Sequence, residues 1–167
     1  MKEQVKRSRL RISAGTVEDI PAVLELIQGL ARYERLSHQV KATEARLGRH
    51  GFGPSPYFRT LISRRGPAVV GYALYFFTYS TFLARPTLYI EDLYVLPEQR
   101  GQGAGKAMLA ALARIALQKK CGRMEWAVLD WNRPAIDFYK RLGARLLKEW
   151  IPVRVTGRRL ERLAQRQ

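Results

Sequence analysis

Apolar residues recur along this chain at two spacings, one strand-like and one helical. Leu10-Arg11-Ile12 alternates and predicts a short first strand. Ile20, Val23, Leu24, Ile27, Leu30 and Ala31 then fall on one helical face. Thr16-Val17-Glu18-Asp19 resembles a capping box ahead of that face, although Pro21, best placed in a first turn, sets the helix start nearer Asp19. Thr43 to His50 reads as a second short helix ended by Gly51, and Gly53-Pro54-Ser55-Pro56 as a loop. Tyr57 to Ser63 and Ala68 to Tyr79 read as strands joined by the hairpin Arg64-Arg65-Gly66-Pro67, with a further strand from Thr87 to Leu96. The helical spacing returns from Gly103 to Lys120, with Leu109, Leu112, Ala113, Ala116 and Leu117 on one side. A strand from Arg123 to Leu129 and a helix from Asn132-Arg133-Pro134 to Leu142, capped by Gly143, follow. The chain closes with a strand pair, about Arg145 to Glu149 and Trp150 to Val155, and a helix from Thr156. The order is mixed α/β, with antiparallel strands first and strand–helix–strand units later.

Between the strand ending at Leu96 and the helix from Gly103 stands Gln99-Arg100-Gly101-Gln102-Gly103-Ala104-Gly105-Lys106. Three glycines opening a helix gather unpaired N–H groups at its positive end, where a phosphate can sit. A Walker A loop is excluded, because Arg100 stands five residues before Gly105 and Ala107 follows Lys106. The dinucleotide pattern G-x-G-x-x-G fails too, since Lys106 or Met108 takes the third glycine position. What remains is an anion cradle of another type.

Composition narrows the rest. The 167 residues suit one domain, 47% of them hydrophobic, and no apolar run has transmembrane length. Residues 1–8 read as a basic, poorly ordered extension; with no apolar core after them, no secretory signal is expected. One cysteine, Cys121, forbids an internal disulfide and agrees with a reducing, cytoplasmic setting. With His38 and His50 as its only companions, a Cys/His zinc site is not expected, and no metal is. Cys121 follows Lys119 and Lys120, cations that lower a thiol's pKa, but it lies away from both chemistry-bearing segments. The net charge of +16 admits nucleic acid or another polyanion as partner, yet no nucleic-acid-binding signature accompanies it.

Arg100-Gly101-Gln102-Gly103-Ala104-Gly105 after a strand resembles the acetyl-CoA loop of the GNAT superfamily of N-acetyltransferases, R/Q-x-x-G-x-G/A. Asn132, Ala135, Phe138, Tyr139 and Gly143 resemble that superfamily's later helix, N-x-x-A-x-x-F-Y-x-x-x-G. Leu30-Ala31-Arg32-Tyr33-Glu34, Gly51-Phe52-Gly53, Tyr75-Phe76-Phe77-Thr78-Tyr79 and Tyr89-Ile90-Glu91-Asp92-Leu93-Tyr94-Val95 are similar to segments of its diamine and polyamine subgroup, spermidine/spermine-type and thialysine-type. The resemblance covers nearly the whole chain after residue 9. It implies a mostly antiparallel twisted sheet of about six or seven strands with a splayed parallel pair, flanked by about four or five helices. It also implies direct acetyl transfer from acetyl-CoA to a primary amine, and a homodimer paired through C-terminal strands, for which Trp150-Ile151-Pro152-Val153 offers an edge.

Acetyl transfer needs a neutral amine, a polarised carbonyl and a proton for the departing thiolate. On the resemblance, Glu91 is the base acting through water and Tyr139 the acid, which its ordinary pKa of about 10 keeps protonated. Leu93, Tyr94, Val95, Arg100, Gly101, Gln102, Gly103, Ala104, Gly105, Lys106, Asn132 and Tyr139 are the expected cofactor contacts. Asn132 serves equally as a helix N-cap. Glu34, Phe82, Glu91 and Asp92 are the expected substrate contacts, with adjacent Glu91 and Asp92 facing opposite sides of their strand. The subgroup carries an acidic residue and a tryptophan before this strand, where the chain has Ser80 and Phe82. With that carboxylate missing in a chain of +16, a long polycation such as spermidine is disfavoured against a smaller amine, such as a lysine-like amino acid or its thioether analogue. The rival readings are acetylation of protein lysines or N-termini, and a basic nucleic-acid-binding protein on the same scaffold.

Overall fold

The computed structural model describes residues 8–166. Apart from Ser8, the expected basic extension lies outside the described residues. The chain packs as two units, one running to Ala127 and the other beginning at Val128.

The first unit is built on a sheet of order β1-β2-β3-β4-β5. Its strands are β1 (Leu10–Ala14), β2 (Arg59–Arg65), β3 (Ala68–Ser80), β4 (Arg85–Val95) and β5 (Arg123–Trp126). β1 through β4 pair antiparallel, and β5 joins β4 in parallel. Helices α1 (Ile20–Tyr33) and α2 (Glu44–Phe52) precede β2, and α3 (Ala104–Gln118) crosses from β4 to β5. The two faces of the sheet follow from alternation along β3. Tyr72 and Leu74 join Ile20, Val23, Leu26, Leu47, Ile62 and Tyr94 in one core under α1 and α2. Gly71 faces the other way, where an added Cβ would lie 3.3 Å from the Met108 Cε of α3 and 2.7 Å from the Tyr94 backbone oxygen. Only glycine allows that close passage of β4 and α3.

The start of α1 matches the capping expectation in part. The Thr16 N–H donates to Asp19 Oδ2 at 2.9 Å, a 3-10 turn covers Val17–Asp19, and the helix begins at Ile20 with Pro21 in its first turn. Arg64 of β2 pairs with Asp19 and ties that start to the sheet. Burial works against the Asp19 charge, but the Thr16 amide and the Arg64 guanidinium outweigh it and hold the carboxyl below its ordinary value. On α3, Leu109, Leu112 and Ala116 are buried as expected, whereas Leu117 is exposed.

In the second unit α4 (Arg133–Arg141) is amphipathic, with Ile136 buried. It ends on Gly143 at φ 87°, where the Gly143 and Ala144 N–H groups donate back to Lys140 and Tyr139. α5 (Arg158–Ala164) closes the described chain. The expected strand pair over 145–149 and 150–155 is absent, so the sheet has five strands among the described residues. The reason is physical: a strand needs a neighbour for its ladder, Pro152 has no N–H, and every residue from Leu147 to Arg166 is exposed.

Candidate active site

β4 carries most of the chemistry. Its pairing with β3 runs regularly from Arg85 to Ile90, which lies opposite Tyr75, then skips Glu91, so that Asp92 lies opposite Leu74. This β-bulge breaks the two-residue period at Glu91. Ile90 and Asp92, two apart in sequence, therefore fall on opposite faces of the sheet. The simple alternation expected for Glu91 and Asp92 does not apply across it. Glu91 is left exposed, and Asp92 is half-buried on the α1 side.

Asp92 is held there by a residue the sequence reading missed. The Tyr72 hydroxyl, fully buried, donates to Asp92 Oδ2 at 2.8 Å. Burial pushes the Asp92 carboxyl above its ordinary value; the Tyr72 bond opposes that rise and the nearby Glu91 charge adds to it. Glu34, at the C-cap of α1, is raised as well, first by burial and then by Asp92. Burial, followed by the Asp92 and Glu34 charges, drives Tyr72 well above the usual phenol value, so it stays a donor. Glu34, Asp92 and Tyr72 thus form one acidic cluster where α1 ends against β3 and β4. Like charges at this depth favour a cation beside them.

Backbone geometry sets Glu34. α1 closes with the Arg35 N–H donating to Arg32 O at 3.2 Å and the Leu36 N–H to Ala31 O at 2.8 Å, with Arg35 at φ 62°. That is a Schellman end with arginine where glycine is usual.

Beyond Asp92, β4 has no ladder partner on the β5 side among the described residues. The β4–β5 ladder stops at Ile90 and Trp126, while β4 continues through Leu93, Tyr94 and Val95. The Arg100 Nε donates to Val95 O at 3.0 Å, and its guanidinium lies 4.6 Å over the Tyr33 ring and 5.4 Å over Tyr94. Arg100 therefore fastens the glycine loop to the ends of α1 and β4. Gly101 and Gly103 sit at φ 73° and 85°, and a Cβ built on either meets nothing within 4 Å. The space over the loop is open, with the first turn of α3 directly behind it at Ala104, Gly105 and Lys106. That backbone and that room fit a pyrophosphate. A separate open groove of about 500 Å³ lies on the α1 side, lined by Glu25, Gly29, Arg32, Tyr33, Tyr94 and Leu96 among others. It shares only Tyr94 with the expected site.

Other expected residues lie elsewhere. Phe82 is 96% exposed at the tip of the β3–β4 hairpin, and at roughly 3.3 Å per residue that tip is about 20 Å along β4 from Asp92. Within one chain it does not join the cluster. Ser80 is buried and its Oγ accepts from the Leu83 N–H at 3.3 Å, a turn contact. Burial raises the Cys121 thiol pKa, contrary to the lowering expected from Lys119 and Lys120. In the second unit, Asn132 Oδ1 accepts from the Ala135 N–H at 3.4 Å, the N-cap contact. Tyr139 is half-buried, its ring centroid 5.4 Å from that of Phe138.

The family model described as acetyltransferase (GNAT) family matches residues 21–144, and the chain belongs to that family. It is an N-acetyltransferase by membership and by its relatives. The chain is 41% identical to the thialysine N-epsilon-acetyltransferase of Mus musculus, covering 93% of this chain and 98% of that one. It is 32% identical to the L-ornithine N5-acetyltransferase of Arabidopsis thaliana, covering 92% and 86%. Among solved structures, an integron cassette protein from the mobile metagenome of V. cholerae superposes with a TM-score of 0.78 at 25% identity, over 94% of this chain and 98% of that one.

Proposed function

We propose that the protein acetylates the terminal amine of a small molecule, a lysine- or ornithine-like amino acid or a short diamine, with acetyl-CoA as donor. The observation that carries this reading is the acidic cluster of Glu34, Asp92 and Tyr72, set against a net charge of +16. A half-buried pair of neighbouring carboxylates in so basic a chain is costly without a cation to hold. The names of the mouse and Arabidopsis relatives, which refer to thialysine and L-ornithine, amino acids with a terminal amine, support the same choice.

Acetyl-CoA, when bound, supplies a thioester carbonyl open to attack and a thiol leaving group. The N–H groups from Gly101 to Lys106 would hold its pyrophosphate, and the free edge of Leu93, Tyr94 and Val95 its pantetheine arm. Asp92 and Glu34 hold the ammonium end of the amine. Glu91, exposed at the bulge, receives the ammonium proton through water. Tyr139 Oη keeps a proton available for the sulfur. Asn132 orders the start of the helix that carries Tyr139.

We assign the setting as cytoplasmic and the state as a homodimer paired through the C-terminal segment. Trp150, Ile151 and Val153, exposed by 70%, 84% and 95%, favour a covered position in an assembly. No helix among the described residues is long and apolar enough to cross a membrane. The test is a panel of amines offered with acetyl-CoA and read by thiol release. Thialysine, ornithine, lysine and short diamines should turn over well above spermidine, a lysine-containing peptide and the hydrolysis background. Preference for the peptide would overturn the reading.

A further inference from the structure

Arg65 closes β2 with only 8% of its surface exposed, an unusual depth for a guanidinium. Its neighbour Arg64 turns to Asp19. Arg65 turns the other way: Nη1 donates to the Ser8 carbonyl at 2.9 Å and Nη2 to the Gln102 carbonyl at 3.0 Å. The second bond joins the end of β2 to the middle of the glycine loop.

A trans peptide points its C=O and its N–H in opposite directions. Drawing the Gln102 carbonyl towards the buried guanidinium therefore turns the Gly103 N–H away from it. Gly103 is also the N-cap of α3, at φ 85°, where the helix's first N–H groups gather. One buried side chain thus fixes the orientation of a peptide that glycine alone would leave loose. It also places a fixed positive charge behind the loop, shielded from salt by its burial.

Given the cofactor reading above, we propose that Arg65 is a positioning residue for the pyrophosphate end of CoA. It acts through the Gln102–Gly103 peptide and does not touch the ligand. Lysine cannot reproduce the two-pronged hold, because its single ammonium cannot span both carbonyls in the same geometry.

The test compares wild type, Arg65→Lys and Arg65→Met. CoA affinity is measured by calorimetry and folding by circular dichroism. Turnover of the preferred amine is followed with acetyl-CoA and with S-acetyl-pantetheine, a thioester that lacks the pyrophosphate. Both variants should bind CoA at least tenfold more weakly, while kcat/KM with S-acetyl-pantetheine stays within twofold of wild type. Where Arg65→Met does not fold, Arg65→Lys, which keeps the charge, carries the same comparison. Unchanged CoA affinity would overturn the proposal. So would an equal loss with both thioesters, the mark of general loosening. A wild-type protein that does not bind CoA would remove the cofactor reading itself, whatever Arg65 does.

Discussion

The Tyr72 hydroxyl reaches Asp92 from within the core and donates to its Oδ2 at 2.8 Å. Tyr72→Phe keeps the packing and removes the bond, leaving a half-buried carboxylate less well satisfied. A cost of about 1–3 kcal/mol is expected. Urea denaturation at pH 7 reads it, and a change below 0.5 kcal/mol would mean that water replaces the hydroxyl fully.

Asp92 and Glu34 both lie above their ordinary values, so the native state binds their protons more tightly than the unfolded chain does. Their contribution to stability is greatest below the unfolded pKa of about 4 and is lost as pH rises through the folded values. Asp92→Asn removes one such loss, and its amide oxygen still accepts from Tyr72. The variant should gain on wild type between pH 4 and pH 7. A gap that stays constant across that range would exclude the linkage.

Arg35 occupies the left-handed position that ends α1, at φ 62°. Glycine adopts that conformation without strain, partly offset by the greater freedom it gives the unfolded chain. Arg35→Gly should stabilise the protein by about 0.5–1 kcal/mol, a rise of a few degrees in Tm by calorimetry. A fall would show that the arginine side chain makes a contact worth more than the strain.

Gly103→Val tests the loop. No protein atom would crowd its Cβ, so the new side chain stands in the open space where a phosphate belongs. CoA affinity should fall at least tenfold, about 1.4 kcal/mol. A valine at φ 85° also costs on the order of 1–2 kcal/mol, so Tm should drop as well. Tight CoA binding by folded Gly103→Val protein would leave the loop as only a turn.

Much of this architecture was legible because local signals agreed with it. The spacing of Ile20, Val23 and Ala31, the glycines before α3, and Pro134 with Gly143 each name an element and one of its ends. The bulge at Glu91 was not legible, because a single skipped residue leaves no mark in a two-residue pattern and is set by the partner strand. Tyr72 sits unmarked within the expected strand from Ala68 to Tyr79; its only signal is a phenol in a strand neighbouring one that carries a carboxylate. Arg65 falls in the expected hairpin Arg64-Arg65-Gly66-Pro67, and nothing local marks it for burial beneath a loop thirty-seven residues on. The C-terminal strands failed for the opposite reason: Trp150, Ile151, Val153 and Val155 are strand-favouring residues, but no strand lies beside them among the described residues.

Asp92→Asn tests whether the Glu34–Asp92 cluster is the amine site. The measurement is kcat/KM for the preferred amine at saturating acetyl-CoA, beside the calorimetric affinity for CoA. Asp92→Asn should lose at least tenfold in kcat/KM for the amine, with CoA affinity within twofold of wild type. An Asp92→Asn protein that folds, binds CoA and acetylates the amine as efficiently as wild type would contradict that assignment of the cluster.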